Sequence, residues 1–92
     1  MKIKEGFILH PMGQEYIAAA VGDAAQQFSG MIRLNEAGAF LWHMLEQGAS
    51  RAQLTEALCD RYEGAEAAQV AEDVDEFLSI LRPALYDDVH DA

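Results

Sequence analysis

Met31-Ile32-Arg33-Leu34-Asn35-Glu36-Ala37-Gly38-Ala39-Phe40-Leu41-Trp42 is the stretch in which one periodicity gives way to another. Met31 to Leu34 is short and apolar-rich and reads as a strand. Asn35 is a candidate N-cap, because its side-chain oxygen can accept from the free N–H groups of the next turn. From Ala37 onward the spacing is helical, with Ala37, Phe40, Leu41, Met44 and Leu45 at i, i+3, i+4, i+7 and i+8. A strand therefore runs into a helix with almost no loop, and this junction sets how an N-terminal β part packs on a C-terminal helical part.

On the N-terminal side, Ile3 to Leu9 is β-prone. His10-Pro11 is expected to close that strand, since proline cannot continue a central strand, and the turn is expected at Pro11-Met12-Gly13. Gln14 to Val21 resumes strand character through Tyr16, Ile17 and Val21, diluted by Ala18-Ala19-Ala20. Gly22-Asp23 breaks it, and Ala24 to Gln27 reads as a loop or one helical turn. Phe28-Ser29-Gly30 then leads into Met31–Leu34. Three short strands on short connections predict an antiparallel meander whose edges are the first strand and the third.

On the C-terminal side the first helix is expected from about Glu36 to Gln47, stopped by Gly48. Ser50 with Gln53 three residues on is a capping-box pattern for a second helix, with Leu54, Ala57, Leu58 and Tyr62 on its apolar face and Gly64 at its end. Ala67, Val70, Ala71, Val74, Phe77, Leu78 and Leu81 repeat at helical spacing and predict a long third helix. Pro83 stops or kinks it. The predicted fold is α+β: a three-stranded antiparallel sheet followed by three helices, one domain over residues 1–86. Residues 87–92 read as an acidic, flexible tail.

Composition narrows the function. The chain has 92 residues, 51% of them hydrophobic, which argues against disorder. Asp and Glu outnumber Lys and Arg by 16 to 6, for a formal charge of −10. That balance disfavours nucleic acid, where phosphate neutralisation supplies most of the affinity. It equally disfavours an anionic membrane surface and allows a neutral or basic partner. Cys59 stands alone and reads as a small half-buried hydrophobe. Met1-Lys2-Ile3-Lys4-Glu5-Gly6 is not followed by the apolar core of a signal peptide, and no apolar run has the length of a membrane span. A cytoplasmic protein is expected.

Catalysis is not supported. His10, His43 and His90 lie far apart, without metal-ligand spacing, and no metal or cofactor is expected. Glu72-Asp73-Asp75-Glu76 lacks the alternating oxygens and glycine of a calcium loop and reads as a solvated helix face. There is no Gly-rich phosphate loop. Three helices beside a small sheet also suggest a winged helix-turn-helix, but Arg51, Arg61 and Arg82 among many carboxylates make a poor DNA reader.

Peptide or protein binding remains. The edge Met31–Leu34 offers unpaired N–H and C=O groups to an extended peptide, guarded only by Arg33. Arg33 either meets an acidic ligand residue or keeps the edge soluble. The long helix is the natural second wall of a groove. Ile80 falls off its repeat, and either stays exposed for a partner or packs under Ala84-Leu85-Tyr86.

Gly6-Phe7-Ile8-Leu9, Glu15-Tyr16-Ile17, Gly30-Met31 through Trp42, and Asp73-Val74-Asp75-Glu76-Phe77-Leu78, in that order, resemble the PqqD family over about Ile3 to Tyr86. The most specific part is Ile32-Arg33-Leu34-Asn35-Glu36 followed by Ala39-Phe40-Leu41-Trp42. The resemblance implies a winged-helix-like fold and a non-catalytic chaperone. Such a chaperone binds the leader of a ribosomal precursor peptide and presents it to a maturase, commonly a radical SAM enzyme. It also implies that the leader adds as a strand, with Met31, Ile32, Arg33 and Leu34 as the edge and Asp73, Val74, Phe77, Ile80 and Leu81 as the facing wall. On that reading Ile32→Pro removes an edge donor. Ala18-Ala19-Ala20 and Gly30-Met31-Ile32 resemble the family's broad membership more than its cofactor-pathway founder, so the modified peptide is not identified. Two other classes stay open: an adaptor or homodimer formed by pairing of third-strand edges, and a winged-helix transcriptional regulator. The oligomeric expectation is a monomer or a homodimer.

Overall fold

The computed structural model describes residues 1–27 and 30–86. Its element order is β1 (Phe7–Met12), β2 (Glu15–Ala20), the single turn α1 (Ala24–Gln27), β3 (Met31–Leu34), α2 (Glu36–Gln47), α3 (Arg51–Arg61), α4 (Ala67–Leu81) and a 3-10 turn over Arg82–Ala84. The strands form one antiparallel sheet in the order β1-β2-β3, so the meander and its two edges are as the sequence implies. The expected acidic tail at 87–92 lies outside the described residues.

The strand-to-helix junction is built by local chemistry. Asn35 has extended backbone, and its Oδ1 accepts from the Gly38 N–H at 2.8 Å, capping α2. Gly48 ends α2 at φ +97°, a left-handed value that costs glycine no Cβ clash. Ser50 and Gln53 form a reciprocal capping box at the start of α3.

Two expectations at the N-terminus are corrected. The first strand does not begin at Ile3. That residue is buried and forms an isolated antiparallel bridge with Leu85, while its N–H donates to the Leu45 carbonyl at 3.1 Å. Nor does Pro11 end β1: the strand runs through it to Met12, and the turn is Gly13-Gln14. Pro11 is tolerated because β1 is an edge and the N–H it lacks would point away from β2. Only Gly13 of the two loop residues has positive φ (+65°), the requirement of a type II′ hairpin.

The core lies between one sheet face and the helices. Ala18, Ile32 and Leu34 supply the sheet side; Leu41, Trp42, Leu45, Leu54, Leu58, Val74, Leu78 and Leu81 supply the helical side. Trp42 is fully buried at the centre, and its indole N–H finds no acceptor among the described residues. It is held there by its bulk. The other sheet face is open, with Ile8, Met12 and Met31 exposed.

Candidate functional site

The site is defined first by the direction of the backbone groups. Antiparallel pairs alternate between residues that exchange both hydrogen bonds and residues that exchange none. The Val21 N–H donates to the Gly6 carbonyl at 2.6 Å, continuing the β1–β2 register. The pairs Ile8–Ala19, His10–Ile17 and Met12–Glu15 are therefore the bonded ones, and Tyr16 and Ala18 direct their groups at β3. Across β2–β3, Tyr16 pairs with Leu34 and Ala18 with Ile32. Ile32 and Leu34 thus bond inward to β2, while the N–H and C=O of Met31 and Arg33 face the open edge.

Side chains follow the same alternation. Ile32 and Leu34 are buried on the core face, and Met31 and Arg33 are exposed on the other. The edge donors therefore belong to Met31 and Arg33 and not to Ile32, whose substitution by proline would damage the ladder itself. At the opposite edge, β1 turns Pro11 outward, which has no N–H to give. One edge of the sheet carries a proline; the other carries none.

Beside that open edge runs a groove of about 640 Å³. Arg33 and Leu34 form one lip. Ala37, Gly38 and Leu41 of α2, Leu58 of α3 and Tyr62 at its C-cap form the floor. The far wall is α4 and the turn before it, through Glu66, Gln69, Val70, Asp73, Glu76, Phe77 and Ile80. The floor is apolar because α2 enters directly below β3. A Cβ built on Gly38 would lie 3.2 Å from the Leu34 Cβ, so the glycine permits this close approach.

The residues expected to form the site are divided by the structure. Arg33, Leu34, Asp73, Phe77 and Ile80 line the groove together. Met31 and Ile32 belong to the strand but not to the lining. Val74 and Leu81 are fully buried in the core, on the stripe of α4 adjoining the groove-lining one, and are not part of the lining. Ile80 is 54% exposed at the groove, while Leu81, Ala84 and Leu85 pack inward. Tyr62, Val70 and the α2 floor were missed by sequence reasoning. Gly38 within an otherwise regular helix was the one available signal, since an interior helical glycine asks for a packing reason.

The charges around the groove fall into two groups. Asp75 points to α3, where Arg51 donates from Nη2 to Oδ2 at 2.8 Å and from Nε to Oδ1. That hydrogen bonding, aided by the Arg51 charge and opposed by partial desolvation, holds the Asp75 carboxyl below its ordinary pKa. Arg33 pairs with Glu15 at 3.0 Å, both side chains exposed. Arg61 reaches Glu36 at 3.4 Å and lies 4.6 Å over the Phe40 ring, joining α3 to the start of α2. Asp73 accepts from Gln69 at 3.1 Å. Glu66, Asp73 and Glu76, all on the groove wall, pair with no cation among the described residues.

No group of His, Cys, Asp and Glu among the described residues is arranged to hold a metal ion. No helix among them is long and apolar enough to cross a membrane. His43 is exposed, with Nδ1 2.8 Å from Glu46, and Cys59 is half-buried and free.

A family model described as coenzyme PQQ synthesis protein D (PqqD) matches residues 5–84. A solved structure described as "TbiB1 in Complex with the TbiA(beta) Leader Peptide" matches with a TM-score of 0.75 at 22% identity, covering 97% of this chain and 99% of that one. At that identity the likeness speaks for the fold. A comparison with curated proteins finds no match.

Proposed function

The chain belongs to the PqqD family, and from that premise we propose that it is a non-catalytic chaperone for a ribosomal precursor peptide. It binds the leader by strand addition at β3 and presents the remainder to a maturation enzyme. The observation that carries this reading is the pairing of an unblocked strand edge, at Met31 and Arg33, with an apolar groove directly beside it. The description of TbiB1 with a leader peptide supports the same class of ligand here.

The mechanism is physical. Main-chain bonds along an edge accept many sequences, and the side-chain pockets beside it set preference. Whichever direction the added strand runs, its residues beside Ile32 and Leu34 turn to the core-face side, where the groove opens beside Leu34, and those beside Met31 and Arg33 turn to the outer face. Ordering a disordered leader costs free energy, so affinity near the micromolar range, about −8 kcal/mol, is expected. Tethering then raises the substrate's effective concentration at a bound maturase. The maturase is assigned as a radical SAM enzyme on family resemblance. The protein itself is assigned no cofactor and no reaction, and its working compartment is assigned as the cytoplasm.

The test is a titration of the isotope-labelled protein with the leader half of a short precursor encoded nearby, followed by NMR. Shifts concentrated in Met31–Leu34 and along the Glu66-to-Ile80 wall are expected. Shifts confined to other surfaces, or none with any neighbouring leader, would overturn the proposal.

A further inference from the structure

Resting on the strand-addition reading, we propose that the groove selects a cationic leader. A Lys or Arg side chain turns inward to Asp73 and Glu76, and the next inward residue is apolar. The alternation of β3 leaves two inward positions on an added strand, beside Ile32 and beside Leu34, about 7 Å apart. One of them faces the apolar lining of Leu34, Leu41 and Phe77. The other must answer the wall of α4.

That wall presents Asp73 and Glu76 to the groove, while Glu72 and Asp75 of the same helix lie off it. Asp73 and Glu76 lie three residues apart on one helix face, about 5–6 Å between Cβ atoms, a spacing that a single ammonium or guanidinium can bridge. Asp75, between them in sequence, is turned away and already paired with Arg51. The one guanidinium lining the groove, on Arg33, is paired with Glu15. The groove therefore holds unmatched negative charge and no free positive charge among the described residues.

The surroundings suit a long cationic side chain in particular. Phe77 is half-buried and Ile80 exposed along the same wall, so an aliphatic stem can lie over them while its charged head reaches the carboxylates at the rim. An acidic or wholly apolar leader would offer Asp73 and Glu76 no cationic partner. A formal charge of −10 also steers a basic peptide toward the molecule at low salt.

The experiment is selection of a random twelve-residue displayed peptide library on the full chain, followed by titration of the selected peptides into labelled protein. Selected peptides are expected to carry Lys or Arg two residues from a large apolar residue and to protect the Met31 and Arg33 amides from exchange. Asp73→Asn with Glu76→Gln, both exposed and isosteric, is expected to weaken them about fivefold. Asp73→Lys with Glu76→Lys is expected to select Asp or Glu at the same position. Peptides that protect those two amides but show no cationic preference and no response to the variants would overturn this inference and leave strand addition standing. Peptides that bind without protecting them, or no binders, would overturn strand addition and this inference with it.

Discussion

Gly38 of α2 lies so close beneath β3 that a Cβ added to it would meet the Leu34 Cβ at 3.2 Å and its Cδ2 at 3.3 Å. Leu34 is both a core residue and a lip of the groove, so the contact links the helix to the binding surface. Gly38→Ala gains about 1 kcal/mol of helix propensity but forces Leu34, buried and held in a strand, to shift. A net loss of about 1 kcal/mol in denaturant unfolding is expected, with a severalfold loss of peptide affinity. Unchanged affinity would mean that Leu34 does not shape the lip.

Prolines placed one residue apart on β3 should behave in opposite ways. Arg33→Pro removes a donor facing the open edge and leaves the β2 ladder intact, so circular dichroism should be nearly unchanged while peptide affinity falls more than tenfold. Ile32→Pro removes a donor in the bonded Ala18–Ile32 pair and should destabilise the fold by about 2 kcal/mol. The reverse pattern would show that the alternation has been assigned the wrong way round.

Neighbouring residues on α4 separate stability from binding. Leu81 is fully buried, and Leu81→Ala is expected to cost about 2–5 kcal/mol. Ile80 lines the groove with 54% exposure, and Ile80→Ala should cost under about 0.5 kcal/mol while weakening a bound leader. Thermal unfolding beside a binding titration checks both.

The Arg51–Asp75 pair predicts an acid response. Asp75 titrates below its ordinary value in the folded chain, so the unfolded chain takes up that proton first as pH falls. The stabilising contribution is complete above the usual Asp value near 3.9 and is lost as pH drops through the depressed folded value. Melting curves from neutral to strongly acid pH should show a shallower acid limb for Asp75→Asn than for the parent chain. Parallel limbs would show that the pair contributes nothing to this dependence.

Much of the fold was legible because its signals are local. Asn35 and Gly38, or Ser50 and Gln53, lie within a single helical turn, and their spacing alone specifies their bonds. Pro11 was misread because its tolerance depends on β1 being an edge, which is a property of the sheet and not of the dipeptide. Ile3 was misplaced because its partner, Leu85, lies near the other end of the described chain. The groove was half legible. Periodicity marks the stripe of α4 that includes Val74 and Leu81, but a helix with one core face has two flanks. Only the placement of β3 and α3 decides that Asp73, Phe77 and Ile80 border an opening.

Pro11 has a consequence for how copies of the molecule can meet. Joining the β3 edge of one copy to the β1 edge of the next would propagate head to tail, into a filament wherever the rotation does not close a ring. The proline denies that junction a hydrogen bond and crowds the incoming strand. Pairing of β3 against β3 meets no proline; it would close on itself as a twofold pair and consume the edge that a leader requires. Self-association of that kind and cargo loading would be mutually exclusive at one surface, and a leader in excess would act as a solvent for its own carrier.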